Sequence, residues 1–161
     1  MEIANIQSPN GGGSQTPDTI VIHAMGEYID HGVQDYHAKE WLDKLGLSAH
    51  YLICPSGVII QTREHNQMAW HAKGFNTNSI GIEFLVSGLH TYETFLEAIK
   101  QPYLTNQQLE QGITLCKHLK NEGVKKITRH DELDPNRKKD PGEGFPWHQF
   151  VEKTELSILT I

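Results

Sequence analysis

Cysteine is scarce in this sequence: Cys54 and Cys116 are the only two in 161 residues. They do not form a Cys-x-x-Cys pair. One lies in an apolar run and the other in a predicted helix, so both are expected as buried free thiols. A chain of this length fits one domain whose core needs no disulfide support. Long apolar runs are missing as well, and no stretch approaches the ~20 residues of a membrane span. Positive charge is in deficit, with fourteen Lys and Arg against twenty Asp and Glu and a formal charge of −6. That argues against nucleic acid as the main partner and offers no attraction to anionic membranes. Met1 to Thr16 has neither a basic start nor an apolar segment, so a secretory signal is not expected and cytoplasmic synthesis is. Three catalytic signatures are absent. Gly11-Gly12-Gly13 is not followed by the Lys-Ser/Thr of a phosphate loop, and there is no Gly-x-Ser-x-Gly elbow and no His-Glu-x-x-His helix.

What is present is a mixture of β-branched runs, helical spacings and turn residues. Ser8 to Asp18 is rich in loop formers, and residues 1–17 read as a flexible lead-in to a single domain over 18–161. Thr19 to His23 reads as a buried strand. Val33 to Leu45 has helical spacing, with Gly46 as its stop. His50 to Cys54 and Val58 to Thr62 flank Pro55-Ser56-Gly57 and predict a hairpin. Ser79 to Val86 is another strand. Thr105 and Gln108 form a capping box for a helix to about Asn121, which Gly123 ends. Lys126 to His130 is a last strand, and Pro146 to about Glu155 a terminal helix. Irregularly alternating strands and helices predict an α/β fold: a mixed central β-sheet flanked by helices.

The ten histidines are many for this length. His130 and Asp140 suit zinc, and the ten-residue spacing lets a loop stiffened by Pro135 and Pro141 bring them together. The bland alternative is a solvated charged loop. His23 is the best third candidate because it ends a buried strand; alone it reads more readily as a hydrogen-bonded core histidine. Two histidines and an aspartate would leave a fourth zinc position for water, which is the chemistry of amide hydrolysis. Such a reaction also needs a proton carrier and an oxyanion partner. Lys138 is two residues from Asp140. Glu83 is a carboxylate inside the apolar run Ile80 to Phe84, costly to bury without a purpose or a partner. Tyr51 could offer a phenol, although a packed core tyrosine is a strong competing reading. Trp70 and His71 could form a ligand-binding wall.

Four blocks together resemble the type 2 N-acetylmuramoyl-L-alanine amidases, whose fold is shared with peptidoglycan recognition proteins. They are Ile20 to His23; Leu47 to Ile53 with the hairpin after it; Ala69 to Ala72 through Asn78 to Glu83; and His130 to Gly142. Any one is weak, but their order and spacing are specific, and the resemblance spans about Asp18 to Leu156. It implies His23, His130 and Asp140 as Zn2+ ligands and Lys138 as holder of the oxyanion. Glu83 matches the acidic residue of the muropeptide-recycling branch and Tyr51 the tyrosine of the phage lysozyme-type branch, which leaves the proton carrier open between them. His71 matches a cleft-lining position, beside Trp70. The chain departs from many members in carrying Ala24 after the first ligand, and from some phage members in having Asp140 instead of cysteine. The activity implied is hydrolysis of the amide between the lactyl group of N-acetylmuramic acid and L-alanine, with peptidoglycan or a muropeptide as partner and a monomer expected. A phage endolysin released to the wall by a holin is the preferred role. A cytoplasmic amidase recycling anhydro-muropeptides is the alternative, and a non-catalytic peptidoglycan-binding module or a polymerase-binding regulator would be a different class of protein.

Overall fold

Ile20, Val21 and Ile22 are apolar on both sides of the strand, the pattern of a strand covered on two faces. The computed structural model, which describes residues 1–28 and 37–161, places them in β2 (Thr19–Tyr28) near the middle of the sheet. The other strands are β1 (Ile3–Asn5), β3 (Tyr51–Ile53), β4 (Ile59–Gln61), β5 (Ser79–His90), β6 (Lys126–Arg129) and β7 (Ser157–Ile158). Among the described residues they form one sheet in the order β1-β4-β3-β5-β2-β6-β7. All neighbours are parallel except the β3–β4 hairpin.

Strand parity divides the side chains. Ile20, Ile22, Tyr51, Ile53, Ile80, Ile82 and Phe84 share one core with Leu115, Cys116, Leu119 and Phe150. The last four belong to α3 (Asn106–Asn121) and α5 (Trp147–Thr154). The opposite face carries Met25, Leu52, Ile60 and Leu85, packed on Ala38 of α1 (His37–Lys44). Cys54 and Cys116 are buried and neither is in a disulfide, as expected. Thr105 and Gln108 make the predicted capping box. Gln108 is fully buried because its amide also donates to Ile53 O at 3.0 Å and Leu85 O at 2.7 Å, tying α3 to the sheet.

Several expectations change. The segment read as a lead-in joins the sheet: Ile3 to Asn5 pair with Ile59 to Gln61, and Gln15 is buried with its amide donating to His65 O and Ser79 O at 2.9 Å. The glycine-rich composition masked this, because the anchoring contacts come from chain more than forty residues away. β2 and β5 run further than read. The helix α2 (Tyr92–Ala98), capped by Thr91 and Thr94, was missed because Thr-x-x-Thr is a weaker signal than Thr-x-x-Gln. Positions 33–36 of the first predicted helix lie outside the described residues. Among the described residues no helix is long and apolar enough to cross a membrane.

Candidate metal centre and catalytic cleft

Parallel pairing places the key residues side by side. His23 on β2 is in register with Glu83 on β5, so both project from one face. Ile22 is in register with Arg129, the last residue of β6, so His130 emerges next to His23 at the start of α4 (His130–Leu133). The loop after α4 returns Asp140 to the same point. Asp131 N–H donates to Asp140 O at 2.8 Å, Arg129 clasps the Asp131 carboxylate and Gly142 O, and Tyr103 OH donates to Pro141 O at 2.8 Å. The Asp140–Pro141 peptide is cis.

Ligand atoms of His23, His130 and Asp140 lie within 4.8 Å of one another. His23 Nδ1 is 2.9 Å from His130 Nδ1 and 3.4 Å from Asp140 Oδ2, and His130 Nδ1 is 3.2 Å from Asp140. Two ligand atoms on a tetrahedral zinc stand roughly 3.3 Å apart. The three residues therefore fit such an ion in both donor type and spacing. Ala24 N–H donates to Asp140 Oδ2 at 3.3 Å. Burial lowers the pKa of His23, against the neighbouring Asp140 carboxylate that raises it, and so favours the neutral ring that a metal needs. Burial would raise the pKa of Asp140, but the adjoining His130 and His23 prevail and keep it ionised, well below the usual carboxylate range.

Glu83 stands beside this cluster, its Oε1 3.9 Å from His23 Nδ1 and its Oε2 buried without a hydrogen-bond partner among the described residues. Burial and then the Asp140 charge push its pKa well up, while Lys138 opposes them. Lys138, Trp70 and His71 line the same cleft with the three ligand candidates. Apolar residues line it as well: Trp41, Leu42, Leu45, Leu47, Tyr92, Phe95 and Leu96.

Tyr51 does not belong to this cleft, which corrects the reading that offered its phenol for proton transfer. It is in register with Ile82, on the face opposite Glu83, and is buried with the α3 side of the core. Its hydroxyl bonds to His65 Nε2, and His65 Nδ1 pairs with Glu122 at 2.9 Å. The neighbour His50 takes the inward place instead. Its Nδ1 accepts Gly81 N–H at 3.0 Å, its Nε2 donates to Gln67 O at 2.8 Å, and its ring centroid is 5.9 Å from that of His71. Which of two adjacent residues faces inward depends on register with β5, and sequence alone does not contain it. Ser79, hydrogen-bonded to His71 at 2.9 Å, was likewise not anticipated.

A mixed sheet that presents two histidines and an aspartate in a cleft, beside a buried carboxylate and a lysine, defines a candidate mononuclear metal hydrolase. Comparison with known proteins places it more narrowly. Residues 13–143 match the family described as N-acetylmuramoyl-L-alanine amidase, and the chain belongs to that family. The chain is 29% identical to the 1,6-anhydro-N-acetylmuramyl-L-alanine amidase AmpD of Escherichia coli, covering 84% of this chain and 81% of that protein. It is 31% identical to the AmpD of Salmonella typhimurium, covering 89% and 83%. In fold it is similar to the N-acetylmuramoyl-L-alanine amidase LysC from Clostridium intestinale, with TM-score 0.76 at 22% identity over 98% of this chain and 99% of that one. It is also similar to the Drosophila peptidoglycan recognition protein SD, with TM-score 0.67 at 18% identity over 96% of each.

Proposed function

We propose that this chain is a zinc-dependent amidase that cleaves the bond between the lactyl group of N-acetylmuramic acid and the L-alanine of peptidoglycan peptides. The observation that carries the proposal is the convergence of His23, His130 and Asp140 beside Glu83 and Lys138, in a chain of this family. Zinc, when bound, supplies Lewis acidity that polarises the amide carbonyl and acidifies water. The chain's own residues do the rest. Glu83, raised in pKa and partnerless at Oε2, takes a proton from the attacking water and returns it to the leaving amine of L-alanine. Lys138 holds the negative charge that develops on the carbonyl oxygen. Trp70 and the apolar residues of the cleft seat the substrate and limit the site to the attacking water.

Released anhydro-muropeptides are the proposed substrate pool. Relatives at 29–31% identity are named for that bond, the negative formal charge suits a soluble fragment better than a wall surface, and a site with Glu83 in the cleft and Tyr51 outside it matches the recycling branch. The endolysin reading preferred from the sequence remains second, supported by the phage-like stretch His71 to Ser79. The test is a parallel digest of soluble anhydro-muropeptides and intact peptidoglycan, with products weighed by mass spectrometry. Peptides beginning with L-alanine released from the soluble substrate alone support recycling. Release from intact wall at a comparable rate overturns that choice and favours the lysin. No release from either rejects the amidase.

A further inference from the structure

His71 was read as a cleft wall, yet both nitrogens of its ring are engaged inside the protein. His71 Nδ1 is 2.9 Å from His23 Nε2, and His71 Nε2 is 2.9 Å from Ser79 Oγ. The direction of these bonds follows from Ser79. Its hydroxyl faces two carbonyls, Phe75 O at 2.7 Å and Asn76 O at 3.1 Å, and its single proton must go to them. The Ser79 oxygen is then an acceptor, so His71 Nε2 carries a proton. His71 Nδ1 is therefore bare and accepts from His23 Nε2–H, which leaves His23 Nδ1 bare and aimed at His130 and Asp140. That is the tautomer a metal ligand requires.

The ring is held in this place by its surroundings. A Cβ on Gly81 would lie 2.6 Å from His71 Cγ, so the imidazole rests on backbone where only glycine leaves room. Asn76 Oδ1 accepts both His71 N–H at 2.9 Å and Ala72 N–H at 2.8 Å, which fixes the turn that carries the ring. The rings of His23 and His71 stand nearly perpendicular, at 81°. His130 has no such support: its Nε2 is buried without a hydrogen-bond partner among the described residues.

We propose that His71, anchored by Ser79, is a positioning residue that fixes the tautomer and orientation of His23 for metal binding. The inference rests on the metal centre proposed above. Removing the outer partner of a metal-bound histidine typically weakens affinity about 10–100-fold.

The test is zinc affinity, measured by competition with a chromophoric chelator, in the parent, His71→Leu and His71→Gln. Leucine removes the acceptor, so zinc should bind about 10–100-fold more weakly. Glutamine offers an oxygen to His23 and an amide N–H to Ser79, so affinity should return close to the parent's. A merely space-filling role would not distinguish the two. The second readout needs no variant at the ring: in the 15N-labelled, zinc-loaded parent, a through-hydrogen-bond N–N coupling should link His23 Nε2 to His71 Nδ1. Its absence overturns the proposal even if His71→Leu fails to fold. Equal zinc affinity in folded His71→Leu and parent rejects the positioning role but spares the metal centre, whereas a parent that binds no zinc rejects both.

Discussion

Glu83 and Lys138 line the cleft with the three ligand candidates, and their proposed roles are separable. Glu83→Gln keeps the shape and removes the proposed proton carrier; kcat should fall by about 10²–10⁴, with zinc content unchanged by metal analysis. Loss of zinc in that variant would make Glu83 a ligand and not a carrier. Lys138→Ala should lower kcat by about 10²–10³, the scale of one lost oxyanion donor, again with zinc retained, and full activity would reject its role. Tyr51 supplies the contrast. Its hydroxyl is spent on His65, behind the sheet, so Tyr51→Phe should cost stability of about 1 kcal/mol and leave kcat alone. A large loss of activity at unchanged stability would return the phenol to the mechanism.

The elements decide whether these residues meet. Asp140 depends on a loop pressed against the segment after α2: Gly142 has φ +82°, and a Cβ there would stand 2.6 Å from Ile99 O. Gly142→Ala is strained both by conformation and by contact, at a cost of about 1 kcal/mol or more. Zinc titration should show weakened binding as the loop shifts Asp140, and unchanged affinity would mean the ligand is held without this clamp. Part of this site is legible in the sequence. His23, His130, Asp140, Glu83 and Lys138 were each visible as a polar residue at the end of, or inside, an apolar strand or in the short returning loop. The inward place of His50, the outward place of Tyr51 and the docking of residues 3–5 depend on register between strands far apart in sequence. Local pattern carries no such information, and turn composition hid the buried Gln15.

At the scale of the molecule, a row of imidazoles runs through the interior from His50 past His71 and His23 to His130, with ring centroids 5.9, 5.0 and 4.4 Å apart. Burial lowers the pKa of His50 to about 4, with the bond to Gln67 O opposing it. Its neutral form accepts Gly81 N–H, and a second proton would break that bond. A folded-state pKa below the unfolded 6.5 means that the unfolded chain binds more protons between the two values. Stability is therefore full above pH 6.5 and is lost as pH falls towards 4, by about 3 kcal/mol at most from this residue. The gap in melting temperature between the parent and His50→Gln should narrow as pH drops from 7 to 5; a constant gap would show that His50 does not titrate in that window.

Metal-dependent cleavage of the muramoyl–L-alanine amide is tested with a minimal muramyl peptide and the chain stripped of metal by a chelator. Peptide beginning with L-alanine should be released by the untreated chain, cease after stripping, and return when one equivalent of zinc is restored. Continued release by demonstrably metal-free protein, or no release by the zinc-loaded chain, would contradict a zinc-dependent amidase.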